Sequence, residues 1–182
     1  MDQWMEAGIE LMELGVSTLL FSSHHIVDAV REIARLGHRR IELFCELAGL
    51  DVDTVEDATI GRLSDLAEEY GLGYSIHPPL VNTAALDEGE RAVAIHKYRA
   101  TLALAGRLGI REMVIHSGHR PGRQVNSEQS RELACGILRA VGETARDMGV
   151  RLLLENTGWH QHAILDTPGD LLELAESACP PD

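Results

Sequence analysis

Gly73-Tyr74-Ser75-Ile76-His77-Pro78-Pro79 is a short, largely apolar run that ends in an imidazole and is closed by two prolines. Proline supplies no amide hydrogen to an interior ladder, so the run reads as a buried strand that stops at His77. Two later runs repeat the pattern, Glu112-Met113-Val114-Ile115-His116 and Arg151-Leu152-Leu153-Leu154-Glu155. Their last residues recur at intervals of 39 positions, from 77 to 116 and from 116 to 155. That spacing fits a strand, a loop and a helix, repeated so that the strands lie parallel and side by side. Their terminal side chains then leave the same end of neighbouring strands, roughly 5 Å apart per step. Two imidazoles and one carboxylate would converge on one point, a donor set suited to a divalent metal.

The same alternation extends in both directions. Residues 16–21 form an apolar run closed by Ser22 and Ser23, which can cap the helix suggested by the spacing of Ile26, Val30 and Ile33; Gly37 ends that helix. A second strand is expected at Arg40–Phe44 and a second helix over 55–70, stopped by Gly71. The pattern predicts further helices over 88–108 and 127–148, each followed by a glycine, Gly109 and Gly149. Thr167, Pro168 and Asp170 supply the cap, first-turn proline and early acid of a fifth. Five strand–helix units in strict alternation make an α/β chain with a parallel sheet. Residues 1–11 read as a tail or short helix, and 12–182 as one domain.

Length and charge narrow the partners. The 182 residues are 45% hydrophobic, enough for one substantial core. Sixteen Lys and Arg against 29 Asp and Glu give a net charge of −13, which disfavours nucleic acid and leaves a small molecule as the expected ligand. Cys45, Cys135 and Cys179 are odd in number and form no CxxC pair, so neither a disulfide framework nor a zinc knuckle is indicated. No stretch approaches the roughly 20 apolar residues of a membrane span, and the acidic start lacks the features of a signal peptide. A cytoplasmic protein is expected.

His77-Pro78-Pro79 with Asn82, Val114-Ile115-His116-Ser117-Gly118 and Leu153-Leu154-Glu155-Asn156-Thr157 together resemble the xylose isomerase-like TIM barrel superfamily. That superfamily includes sugar isomerases and epimerases and the endonuclease IV group. The resemblance spans roughly residues 14–178 by order of elements. It implies a divalent metal, zinc or manganese foremost, at the carboxyl ends of the strands, with Glu155 as ligand and participant in catalysis. In the endonuclease branch, histidines ending strands three and four join that glutamate, which maps onto His77 and His116. Many isomerases instead draw an aspartate, a histidine and a glutamate from the last three strands, and these have no counterpart here. About five of eight barrel units are present, and five strands cannot close an eight-stranded barrel. A fragment of a longer protein is the favoured expectation; a homo-oligomer covering the open edges and an open sheet are the alternatives.

Other candidates cluster after the strands. Glu46 follows strand two and is a candidate base; its bland alternative is a solvated acid. His24, Asn82, His119 and Asn156 occupy loops at the same end and are candidate substrate contacts, against ordinary capping, turn or surface roles. Arg120 beside His119 suits a phosphate or carboxylate. Trp159, His160 and His162 could close over a ligand. Three functions follow: a metal-dependent isomerase or epimerase of a small sugar or hydroxy-carbonyl compound, an endonuclease IV-like zinc phosphodiesterase, and a catalytically silent fragment or binding module.

Overall fold

A computed structural model describes residues 14–120, 122, 126–155, 164–165 and 167–178. Five strands, β1 (Gly15–Ser17), β2 (Arg40–Phe44), β3 (Gly73–His77), β4 (Glu112–His116) and β5 (Arg151–Glu155), lie in sequence order and pair in parallel. Helices α1 (Ile26–Arg35), α2 (Asp57–Tyr70), α3 (Glu88–Arg107) and α4 (Ser127–Asp147) connect them, and α5 (Pro168–Ala178) follows. The result is a partial TIM barrel of five strands and five helices, as the alternation predicts.

Strand alternation divides the sheet into two faces. Ile41, Leu43, Ile76, Met113 and Ile115 are essentially inaccessible and belong to the core shared with the helices. On the other face, Ser17, Glu42 and Ser75 stand in register across β1, β2 and β3. With Arg40, Gly73 and Glu112 they line an open cavity of about 900 Å³ toward the amino-terminal ends of the strands. An Arg151–Glu112 ion pair joins β5 to β4 there.

Two local expectations are corrected. The first strand is only Gly15–Ser17, because the chain turns into a 3-10 helix at Thr18–Phe21 whose entry is capped by the Ser17 hydroxyl. The buried Thr18 hydroxyl accepts the Phe44 amide at 2.9 Å, so this segment pins β2 from above instead of continuing the sheet. Likewise α1 is capped by His25, whose Nδ1 accepts the Val27 amide at 3.3 Å, and not by Ser22 or Ser23. The His25 imidazole lies directly over Gly49, which has φ +87 and whose added Cβ would fall 2.0 Å from Nε2. Three other helix starts follow ordinary capping: Asp87 caps α3, Asn126 caps α4, and Thr167 and Asp170 bond reciprocally at α5, whereas Glu56 at the start of α2 makes no side-chain capping bond.

Thr18→Val keeps the volume but leaves the buried Phe44 amide without its acceptor. The substitution is expected to cost about 1–3 kcal/mol in urea unfolding; an unchanged midpoint would show that the hydroxyl is not what holds β2.

Candidate metal centre

His77, His116 and Glu155 each occupy the last position of their strand. β4 and β5 stay in register to the end, with His116 opposite Glu155, while β3 meets β4 with Ile76 opposite Met113. The three side chains converge. His77 Nε2 lies 2.9 Å from His116 Nε2. Glu155 Oε2 lies 3.2 Å from His116 Nε2 and 3.9 Å from His77 Nε2. Atoms so spaced lie on a circle of about 2.0 Å radius, close to the zinc–nitrogen and zinc–oxygen bond lengths of roughly 2.0–2.2 Å. The trio therefore fits a divalent ion in size as well as in donor chemistry.

The histidine tautomer supports that fit. His77 Nδ1 lies 2.7 Å from the Pro78 carbonyl oxygen. A carbonyl only accepts, so Nδ1 carries a proton, and whenever Nε2 is unprotonated its lone pair faces His116. The Phe44 ring, with its centroid 4.9 Å away, packs against the His77 imidazole, and His77 is buried. Burial, and then the proximity of His77, lower the His116 pKa below the ordinary imidazole value, although Glu155 opposes the shift. The neutral form this favours is the form that binds metal. The Glu155 side chain is 52% exposed, which leaves the centre reachable from solvent.

The remaining candidates have more local surroundings. Glu46 is exposed, and its Oε1 accepts the Leu80 amide at 3.3 Å, tying the loop after β2 to that after β3. Asn82 Oδ1 accepts two amides, from Ala84 at 3.1 Å and His119 at 3.0 Å. The exposed His119 is thus held through its backbone. His24 is exposed, with Nδ1 3.3 Å from the Ser23 hydroxyl and its ring edge-on to Phe21. Arg120 is partly buried, and its Nε is buried without a hydrogen-bond partner among the described residues. Asn156, Trp159, His160 and His162 lie outside the described residues. Sequence reasoning missed the roles of Phe44 and Thr18 and the close approach of Thr83 to Gly118. Their roles depend on contacts between distant segments; the glycine of His116-Ser117-Gly118 was the one local signal, marking an abrupt turn.

A family model described as xylose isomerase-like TIM barrel matches residues 30–181. An uncharacterised protein of Methanocaldococcus jannaschii is 25% identical over 168 residues, covering 91% of this chain and 56% of that protein. Among solved structures, a D-tagatose 3-epimerase-like protein is 24% identical with a TM-score of 0.80, covering 91% of this chain and 60% of its own. A D-psicose 3-epimerase from Clostridium cellulolyticum H10 is 16% identical with a TM-score of 0.77, covering 92% and 60%. The likeness to these structures is one of fold. This chain spans little more than half the length of the proteins it matches.

Gly118 has φ +84, and an added Cβ would fall 2.2 Å from the Thr83 hydroxyl; Gly109 has φ +67 with open space around it. Gly109→Ala should therefore cost about 1–2 kcal/mol from backbone strain alone. Gly118→Ala should cost more, about 2 kcal/mol or above, because overlap is added to strain. Equal losses in chemical unfolding would remove the close-packing account.

Proposed function

We propose that this chain, which belongs to the xylose isomerase-like TIM barrel family, carries the metal-binding part of an active site that isomerises or epimerises a small sugar or related hydroxy-carbonyl compound. The observation that carries this reading is the convergence of His77, His116 and Glu155 at the carboxyl ends of three adjacent strands, where catalytic groups of such barrels sit. Solved proteins of the same fold named as D-psicose 3-epimerase and L-ribulose 3-epimerase support the substrate class. No described helix is long and apolar enough to cross a membrane.

Held by the trio, a divalent ion, zinc or manganese, would polarise adjacent carbonyl and hydroxyl oxygens and acidify the neighbouring C–H bond. Proton transfer at that carbon falls to a carboxylate on the same rim. Glu155 presents a half-exposed carboxylate beside the histidine pair and is the first candidate. Glu46, held by the Leu80 amide, is the second. Asn82, His119, His24 and Asn156 are proposed substrate contacts from the loops. For Asn82 only the amide nitrogen remains to offer, because its oxygen serves two backbone amides.

A phosphodiesterase of the endonuclease IV type is the second reading, favoured by the paired histidines beside the glutamate. The charge of −13 argues against a DNA backbone as its substrate.

With Mn²⁺ or Zn²⁺ in D₂O, the protein is expected to incorporate deuterium at the carbon next to the carbonyl of a ketohexose. Glu155→Gln should slow this by about 10²-fold or more. Lack of incorporation across ketopentoses and ketohexoses, with cleavage of an abasic duplex instead, would overturn the isomerase reading in favour of the nuclease.

A further inference from the structure

His77 and His116 stand on opposite sides of the sheet's least extensive interior seam. β2 and β3 register at five positions, and so do β4 and β5, but β3 and β4 register only at Ile76 opposite Met113. The outer seams are also tied above their last residues. The Cys45 amide donates to the His77 carbonyl at 2.9 Å, and the Ser117 amide to the Glu155 carbonyl at 3.4 Å. A 2.9 Å spacing between imidazole nitrogens on side chains across a one-position ladder requires some other constraint near the strand ends.

The geometry points to Asn82 as that constraint: a positioning residue that fixes the separation of His77 and His116 by locking the loop after β3 to the loop after β4. Its Oδ1 accepts the Ala84 amide at 3.1 Å, which folds its own loop into an Asx-type turn. The same oxygen accepts the His119 amide at 3.0 Å across the seam. Asn82 lies five residues beyond His77, and His119 three beyond His116, so one carboxamide oxygen joins the two chains shortly after both imidazoles leave them. Gly118 makes the approach feasible. Its φ of +84 turns the backbone toward Thr83, and its missing Cβ leaves room for the Thr83 hydroxyl and Asn82 Oδ1, which would lie 2.2 and 3.0 Å from such an atom. Thr83 is fully buried, so its side chain packs into the junction of the two loops.

Supporting groups behind metal-binding histidines commonly set affinity through orientation alone. Asn82 would do so through the backbone, since its Oδ1 accepts the amides of Ala84 and His119. This inference rests on the metal reading of the trio, and the test separates the two.

The experiment compares Asn82→Ala, Asn82→Asp and wild type by competitive titration with Co²⁺, by the Co²⁺ visible spectrum, and by hydrogen exchange of the His119 amide in the metal-free protein. Ile60→Val, in the α2 core away from this seam, serves as the stability control. Asn82→Ala is expected to lose about 10- to 100-fold in Co²⁺ affinity with a changed spectrum, and to expose the His119 amide to faster exchange. Asn82→Asp, which keeps the acceptor, should restore the spectrum and slow exchange, and Ile60→Val should match wild type in both. Wild-type affinity, spectrum and His119 exchange in Asn82→Ala would overturn the inference, as would equal weakening by Ile60→Val. If wild type takes up no metal, the metal reading fails. The positioning role is then decided by a crystal structure of Asn82→Ala: an Nε2–Nε2 separation widened beyond 3.5 Å supports it and an unchanged one refutes it.

Discussion

Two imidazole nitrogens held 2.9 Å apart, with a carboxylate oxygen 3.2 Å from one of them, form the constraint on which the rest of this structure turns. Lone pairs at that distance repel unless a proton or a cation lies between them, and the Pro78 carbonyl fixes the His77 tautomer that aims its lone pair inward. The fold supplies the convergence by bringing the carboxyl ends of three adjacent parallel strands together, with His116 level with Glu155. Phe44 packs on one ring, the β4–β5 ladder sets His116 opposite Glu155, and loop contacts hold the strand ends. Each of these is a packing or hydrogen-bonding device outside the trio. The chemistry of the site is therefore a property of the whole upper rim.

The opposite end of the sheet is built differently. Ser17, Glu42, Ser75, Glu112 and Arg40 place polar groups around an open cavity, while Leu43, Ile76, Met113 and Ile115 of the same strands are buried in the core. In a closed barrel such interior positions are filled by layers of side chains from all strands. Among the described residues β1 and β5 are the sheet's outer strands, and the chain covers 60% of the length of each of the two solved structures cited above. The described residues thus contain one wall of a barrel together with three side chains suited to a metal.

Much of this was legible in the sequence because it was periodic. The 39-residue spacing of His77, His116 and Glu155 identified parallel strands and placed their ends together, and Pro78-Pro79, Gly71, Gly109 and Gly149 marked the boundaries through local backbone chemistry. What escaped was non-local. No reading of Thr18 reveals that its hydroxyl holds the Phe44 amide 26 residues away. Ser22-Ser23 looked like the natural helix cap, yet the contact of His25 with Gly49 placed an imidazole in that role. Asn82 was recognisable as a loop residue near the site, but its bond to the His119 amide spans 37 residues and appears only once the strands are assembled.

The central claim is that the three side chains form one divalent metal centre, and anomalous diffraction from crystals grown with Mn²⁺ or Zn²⁺ tests it most directly. The account predicts a single strong peak about 2.0–2.2 Å from His77 Nε2, His116 Nε2 and a Glu155 carboxylate oxygen, and its loss in Glu155→Ala. A well-ordered trio with no peak, or a peak bound elsewhere that survives replacement of both histidines, would contradict it.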